Sequence, residues 1–233
     1  MKKALSILVA ALLLSALAMG ACAQTLTDVI LSSGTTQAFK ADAVPEADLN
    51  VILQAGLSTT SAINQQPWHF AVLTNPDTMK EISSSMSMGM GKPPAGAPAP
   101  AGKPESAPAG APAGMPPMPA AGGAKASLGD SPAAIIVYMN EGTASPDASF
   151  DCGLATQNMV IAANALGYGT KIVSAPTMAL NGEKHDEICA QLGVDPAYKA
   201  VAVLLVGYTD TQVDGATGAS VRSAIEEKVS FGK

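Results

Sequence analysis

From Met86 to Ala126 the chain is dominated by Pro, Ala, Gly and Met, as in Pro93-Pro-Ala-Gly-Ala-Pro-Ala-Pro100. Such a composition cannot bury enough apolar surface to offset the entropy of ordering it, and its prolines favour extended, solvated backbone. The run 86–126 is therefore expected to be a disordered insertion and not a second domain. Any core has to be assembled from the sequence on its two sides, and 233 residues fit one modest globular domain. Met86, Met88, Met90, Met115 and Met118 would suit copper(I), a soft ion. No His or Cys joins them to complete a site, so no metal is assigned.

Met1-Lys2-Lys3 followed by the apolar run Ala4 to Met19 reads as a secretory signal over 1–23, too short and too poorly flanked by charge to span a membrane stably. Two processing routes stand. Ala21-Cys22-Ala23 would release Gln24, whereas Met19-Gly20-Ala21-Cys22 resembles a degenerate lipoprotein box that would leave Cys22 lipidated. Either way the expected location is exported, periplasmic or extracellular. No twin-arginine pair is present, so the general route, which threads an unfolded chain, is expected and any cofactor is acquired after export. A formal net charge of -6 excludes a basic nucleic-acid footprint. An oxidising compartment would permit a Cys152–Cys189 bridge, but both cysteines fall in helical patterns as small apolar residues, so two buried free thiols are the other reading.

Leu26 to Leu31 reads as a first helix. Val44-Pro45-Glu46-Ala47-Asp48 opens a second, with proline in its first turn, carboxylates at its positive end, and Leu49, Ile52 and Leu53 on one face. A strand is expected over His69–Thr74, then a helix from Asn75-Pro76-Asp77 to about Ser84. Beyond the insertion, Ala133–Tyr138 reads as a buried strand, and Phe150–Leu166 as a long helix closed by Gly167 and covered on most sides. A loop through Ser174-Ala175-Pro176, a helix from Glu183 to Leu192 and a strand from Ala200 to Val206 complete the order. His69 is expected at a strand rim, and His185 on a solvated charged turn.

The second helix and the strand at His69 are joined by Ser58-Thr-Thr-Ser-Ala-Ile-Asn-Gln-Gln-Pro-Trp68. Here small hydroxyl and amide side chains meet at a helix-to-strand corner where donors can converge on a ligand. The stretch resembles the Pro-Ser-x-x-Asn-x-Gln-Pro-Trp signature of the FMN-dependent nitroreductase family, with Thr60 where that family has proline. Asp151-x-Gly-x-Ala-x-Gln157-Asn158 followed by Ala163-x-Ala165-Leu166-Gly167-Tyr168-Gly169 is similar to that family's central helix. The resemblance covers about Leu26 to Ser84 and Ser131 to Phe231. It implies an α+β, three-layer nitroreductase-like fold, with a central mixed or antiparallel sheet flanked by helices, built from 24–85 and 127–233. It further implies a homodimer with FMN at the subunit interface, held in part by Ser61, Asn64 and Gln66. No catalytic side chain is assigned, because the flavin supplies the chemistry.

In that family an Arg-x-Ser-x-Arg pattern grips the FMN phosphate, and here the aligned run is Gly34-Thr-Thr-Gln-Ala-Phe39. Near the other end, Asp214-Gly-Ala-Thr-Gly-Ala-Ser220 resembles the target at which a flavin transferase esterifies FMN through its phosphate. Ser220 would be the acceptor and Arg222 the neighbouring cation. As a diester the phosphate keeps about one negative charge instead of roughly two, so one guanidinium could suffice. The function implied is an exported FMN-dependent oxidoreductase acting on a small acceptor such as a quinone or nitro compound. No dinucleotide fingerprint appears, and a membrane redox partner is expected in place of NAD(P)H. Two alternatives stay open: an electron carrier with covalent FMN, and a cofactor-free binding module that has kept the fold.

Overall fold

The computed structural model describes residues 25–88, 127–213, 217–218 and 223–232. The expected signal, with Cys22, the expected insertion from residue 89 on, and Ser220 and Arg222 lie outside these residues. Met1–Ser33 is a unit of its own. Its described part is α1 (Leu26–Ser32), closed at its start by a reciprocal pair in which the Asp28 N–H donates to Thr25 Oγ1 and the Thr25 N–H to Asp28 Oδ2.

The second unit, residues 34–233, holds β1 (Thr35–Thr36), α2 (Glu46–Leu57), β2 (Trp68–Leu73), α3 (Pro76–Met88), β3 (Ala133–Asn140) and α4 (Ala148–Ala165). It continues with β4 (Gly169–Val173), α5 (Thr177–Leu180), α6 (His185–Leu192), β5 (Tyr198–Gly207), β6 (Thr217–Gly218) and α7 (Ile225–Lys228). Four strands form one sheet in the order β2-β3-β5-β4, every neighbouring pair antiparallel. β3 is covered on both faces, which is why its sequence is a continuous apolar run instead of an alternating one. Its Ile135 and Val137 pack with Ile52, Cys152 and Met159 of α2 and α4. Ala134, Ile136 and Tyr138 face the other way, toward Met79, Ile82, Leu180 and Cys189 of α3, α5 and α6. Helix, sheet and helix thus make three layers, and the family's α+β architecture is the one observed.

The two cysteines lie in these opposite layers, so the sheet separates them and both are free, buried thiols. Burial pushes the Cys152 thiol up to about 12.

Three local expectations are corrected. α3 runs past Ser84 to Met88, because Ser85-Met86-Ser87-Met88 contains neither Gly nor Pro to stop it. No strand is expected ahead of the Ser174 loop, yet Gly169–Val173 forms β4, a short edge strand with Ile172 exposed and too brief for alternation to show. His185 is buried, not solvated: one ring nitrogen lies 2.8 Å from the Leu180 carbonyl and the other 2.9 Å from that of Pro196. It stands one helical turn before buried Cys189, so among its charged neighbours it alone takes the inward position.

β1 pairs with β6, Thr35 opposite Gly218 and Thr36 opposite Thr217. The segment lies tightly against β4: a methyl group at Gly169 would run into the hydroxyls of Thr36 and Thr209. Gly169→Ala is therefore expected to destabilise the fold by about 1–3 kcal/mol, read as a lower denaturant midpoint. An unchanged midpoint would contradict this packing.

Candidate functional site

α2 ends at Leu57, and the chain turns through a corner before entering β2. The corner is held from beneath by α4. Asp151, only 4% exposed, receives the Ala62 N–H at 3.3 Å on each carboxylate oxygen and the Ser145 hydroxyl at 2.7 Å. Two turns along the same helix face, Asn158 Nδ2 donates to Thr59 Oγ1 at 2.8 Å. The 140–145 loop adds two more ties, from the Asn140 N–H to the Pro67 carbonyl and from the Ala144 N–H to Gln65 Oε1.

Those ties are needed because the corner is strained. Ile63, Asn64 and Gln66 all have left-handed backbone, with φ of 45°, 56° and 46°. Asparagine tolerates this region, but a β-branched residue such as Ile63 is a genuine outlier there. Each such residue stores on the order of 1–3 kcal/mol, and strain of this kind collects at ligand clamps and active sites. Its effect is to turn side chains outward. Asn64 and Gln66 are exposed, and Gln66 Nε2 donates to Asn64 Oδ1 at 3.2 Å. Among the described residues no bond reaches Asn64 Nδ2 or Gln66 Oε1. A donor and an acceptor therefore stand side by side, facing solvent. Ser61 has a second job: its Oγ accepts the Gln66 N–H at 2.8 Å, closing the corner on itself.

A cavity of about 330 Å³ opens beside the corner, lined by Thr60, Ser61, Ala62, Pro146, Asp147, Phe150, Asp151 and Leu154. Asp147 caps α4, accepting from the Phe150 N–H at 3.0 Å and the Ser149 hydroxyl at 2.7 Å. Those bonds, the hydroxyl's first, hold its carboxyl below its ordinary value of 3.8. Its contribution to α4 is accordingly present above that value and fades as pH falls through the lower folded one.

The segment from Thr35 to Lys40 forms a second polar region. It runs beside 208–210, with the Lys40 N–H on the Tyr208 carbonyl and the Asp210 N–H on that of Ala38. Lys171 Nζ of β4 donates to Gln37 Oε1 at 3.1 Å, placing a cation beside the run that stands in place of the family's Arg-x-Ser-x-Arg. Arg222 is the chain's single arginine, so any other cation here has to be lysine.

Of the residues singled out from sequence, Ser61, Asn64 and Gln66 come together at one corner, while Ser220 and Arg222 lie outside the described residues. Asp151 and Asn158 were visible only as parts of a helix motif. Their spacing of seven placed them on one face, which was the available signal that both serve the corner.

A three-layer α+β sheet with a strained polar corner over the start of its long helix defines a nitroreductase-type architecture. The Nitroreductase family pattern matches residues 34–208, and the chain belongs to that family. Among curated relatives, "Putative NADH dehydrogenase/NAD(P)H nitroreductase" of Archaeoglobus fulgidus is 23% identical over 171 residues, covering 73% of this chain and 78% of the relative. Among solved structures, a nitroreductase with bound FMN from Bacteroides fragilis superposes with a TM-score of 0.67 at 18% identity, over 89% of this chain and 98% of that one. A second FMN-bound nitroreductase, from Desulfitobacterium hafniense, gives a TM-score of 0.67 at 19% identity, with the same 89% and 98% coverage.

Asp151→Ala leaves the Ala62 N–H and the Ser145 hydroxyl without their acceptor, and is expected to lower unfolding free energy by about 1–3 kcal/mol. Asp151→Asn, which keeps one acceptor oxygen, should fall between it and the wild type in urea denaturation. Equal midpoints for all three would show that the clamp carries no strain.

Proposed function

We propose that this chain is an exported, FMN-dependent oxidoreductase of nitroreductase type. It works as a homodimer, passes hydride or electrons from a membrane redox partner to a small acceptor such as a quinone or nitro compound, and carries its FMN as a phosphate ester on Ser220. Family membership supports the reaction class, and the FMN-bound structural relatives support the cofactor. The corner fits a flavin ring, whose edge alternates carbonyl oxygens with N–H: the exposed Asn64 amide donates where Gln66 Oε1 accepts. Apolar side chains left exposed on α2 and just past the end of α4, namely Val51, Leu57 and Leu166, support a second copy covering these helices.

One observation carries the ester reading. Thr35–Thr36 pairs with Thr217–Gly218, so the segment from which the expected arginines are missing runs alongside the sequence resembling a flavin-transferase target. Loss of the grip and gain of the tether fall at one place. A diester with about one negative charge demands less than a monoester, and Lys171 on Gln37 offers a modest positive field. Export of an unfolded chain favours a tether as well, since a noncovalent cofactor dissociates by mass action where its free concentration is low.

When bound, FMN supplies hydride and electron transfer at its ring. The protein's part is positional. Asp151 fixes the corner, Ser61 holds Gln66 in its left-handed conformation, and Asn64 and Gln66 present their amide groups.

Protein co-expressed with a flavin transferase and precipitated in acid should give a yellow pellet, and Ser220→Ala a colourless one. Colour confined to the wild-type supernatant would contradict the ester, and a colourless wild type supplied with FMN would contradict the flavin reading altogether.

A further inference from the structure

The cavity beside the corner has a chemical bias that follows from its walls. Phe150 is 62% exposed and Leu154 37%, and with Pro146 and Ala62 they form an apolar surface in which a ring of Phe150's size can stack. Thr60 and Ser61 bring hydroxyls from the corner. A space of about 330 Å³ is near the lower end of small-molecule pockets, roughly 300–1,000 Å³, and suits one or two fused rings.

Its charge is one-sided. The cavity lies at the start of α4, an 18-residue helix whose aligned peptides present about half a positive charge there. Left bare, such a helix start would attract anions. Here that offer is partly taken: Asp147 accepts the Phe150 N–H through its side chain and the Asp151 N–H through its carbonyl. Asp147 and Asp151 bring two carboxylates against that half charge, and no Lys or Arg is among the lining residues. An anionic guest would meet net repulsion from the two carboxylates and compete with Asp147 for the first turn's N–H groups.

We propose that this cavity is the acceptor pocket, and that it takes planar neutral or cationic molecules of one or two rings while disfavouring their anionic counterparts. The proposal rests on the flavin reading for the word acceptor. The charge preference is a property of the cavity alone and is read by binding without turnover.

The test uses three probes that share a ring and differ in charge: 4-nitrobenzylammonium, 4-nitrobenzyl alcohol and 4-nitrobenzoate. Their dissociation constants are measured by equilibrium dialysis on the purified full chain, without reductant. At low salt the alcohol and the ammonium compound should bind about tenfold more tightly than the benzoate, the effect of one like charge within several ångströms at a half-exposed site. High salt should shrink that gap. Asp147→Asn should shrink it to about threefold without unfolding α4, since asparagine caps a helix start as well as aspartate does. Asp186→Asn, on α6 across the sheet, is the control for overall charge and should leave the gap unchanged. Benzoate binding as tightly as the alcohol, a gap that ignores Asp147→Asn and salt, an equal response to Asp186→Asn, or no binding of any probe up to its solubility would each overturn the proposal. Failure of the flavin reading shows differently: the charge preference would persist in protein that holds no flavin and reduces none of the three.

Discussion

A single buried carboxylate organises the functional end of this molecule. Asp151 sits in the first turn of α4 and receives one backbone N–H from the corner and one hydroxyl from the 140–145 loop. Buried charge is tolerated only when it is bonded, and these two donors are what make the position acceptable. The dependence runs in both directions. Without Asp151 the left-handed run at Ile63, Asn64 and Gln66 has no anchor in α4 at that point, and without the corner's N–H the carboxylate is buried with one partner fewer. The rigid helix thereby transmits its position to exposed amide side chains two segments away.

The rest of the fold supplies the wall behind that corner. β3 and β5, buried on both faces, separate a layer built from α2 and α4 from one built from α3, α5 and α6. The α2–α4 layer is the one that carries the site. Gly56 of α2 approaches Met159 of α4 so closely that a methyl group there would meet its side chain at 2.9 Å, which brings the two helices together just below the turn into the corner. At the far edge, Gly169 performs the same service for β1, letting the Thr35–Thr36 segment reach both β4 and β6. Close approach at two glycines thus sets where the corner and the β1–β6 pair lie on the fold.

Much of this architecture was legible in the chain, and the exceptions have physical causes. Continuous apolar runs gave β3, β5 and α4, because burial on two faces writes itself into composition. The corner was legible through its resemblance to a family signature, since no periodicity marks a strained turn. β4 escaped notice because five residues at a sheet edge, one of them lysine, carry no pattern. His185 was misjudged because a charged neighbourhood hides a single inward position, and burial there depends on carbonyls of Leu180 and Pro196 that no local rule connects to it. Asp151 looked like an ordinary first-turn carboxylate. Its partners lie at Ala62 and Ser145, and only the folded chain brings the first of these near.

The corner as the seat of an oriented flavin ring is tested most directly by visible circular dichroism of the flavin bands. A ring docked against asymmetric backbone should show a strong induced signal in the wild type. Asn64→Ala, which removes the exposed amide, should weaken that signal while absorbance from protein-bound flavin persists. A wild-type signal no larger than that of free FMN, or one indifferent to Asn64→Ala, would place the flavin elsewhere.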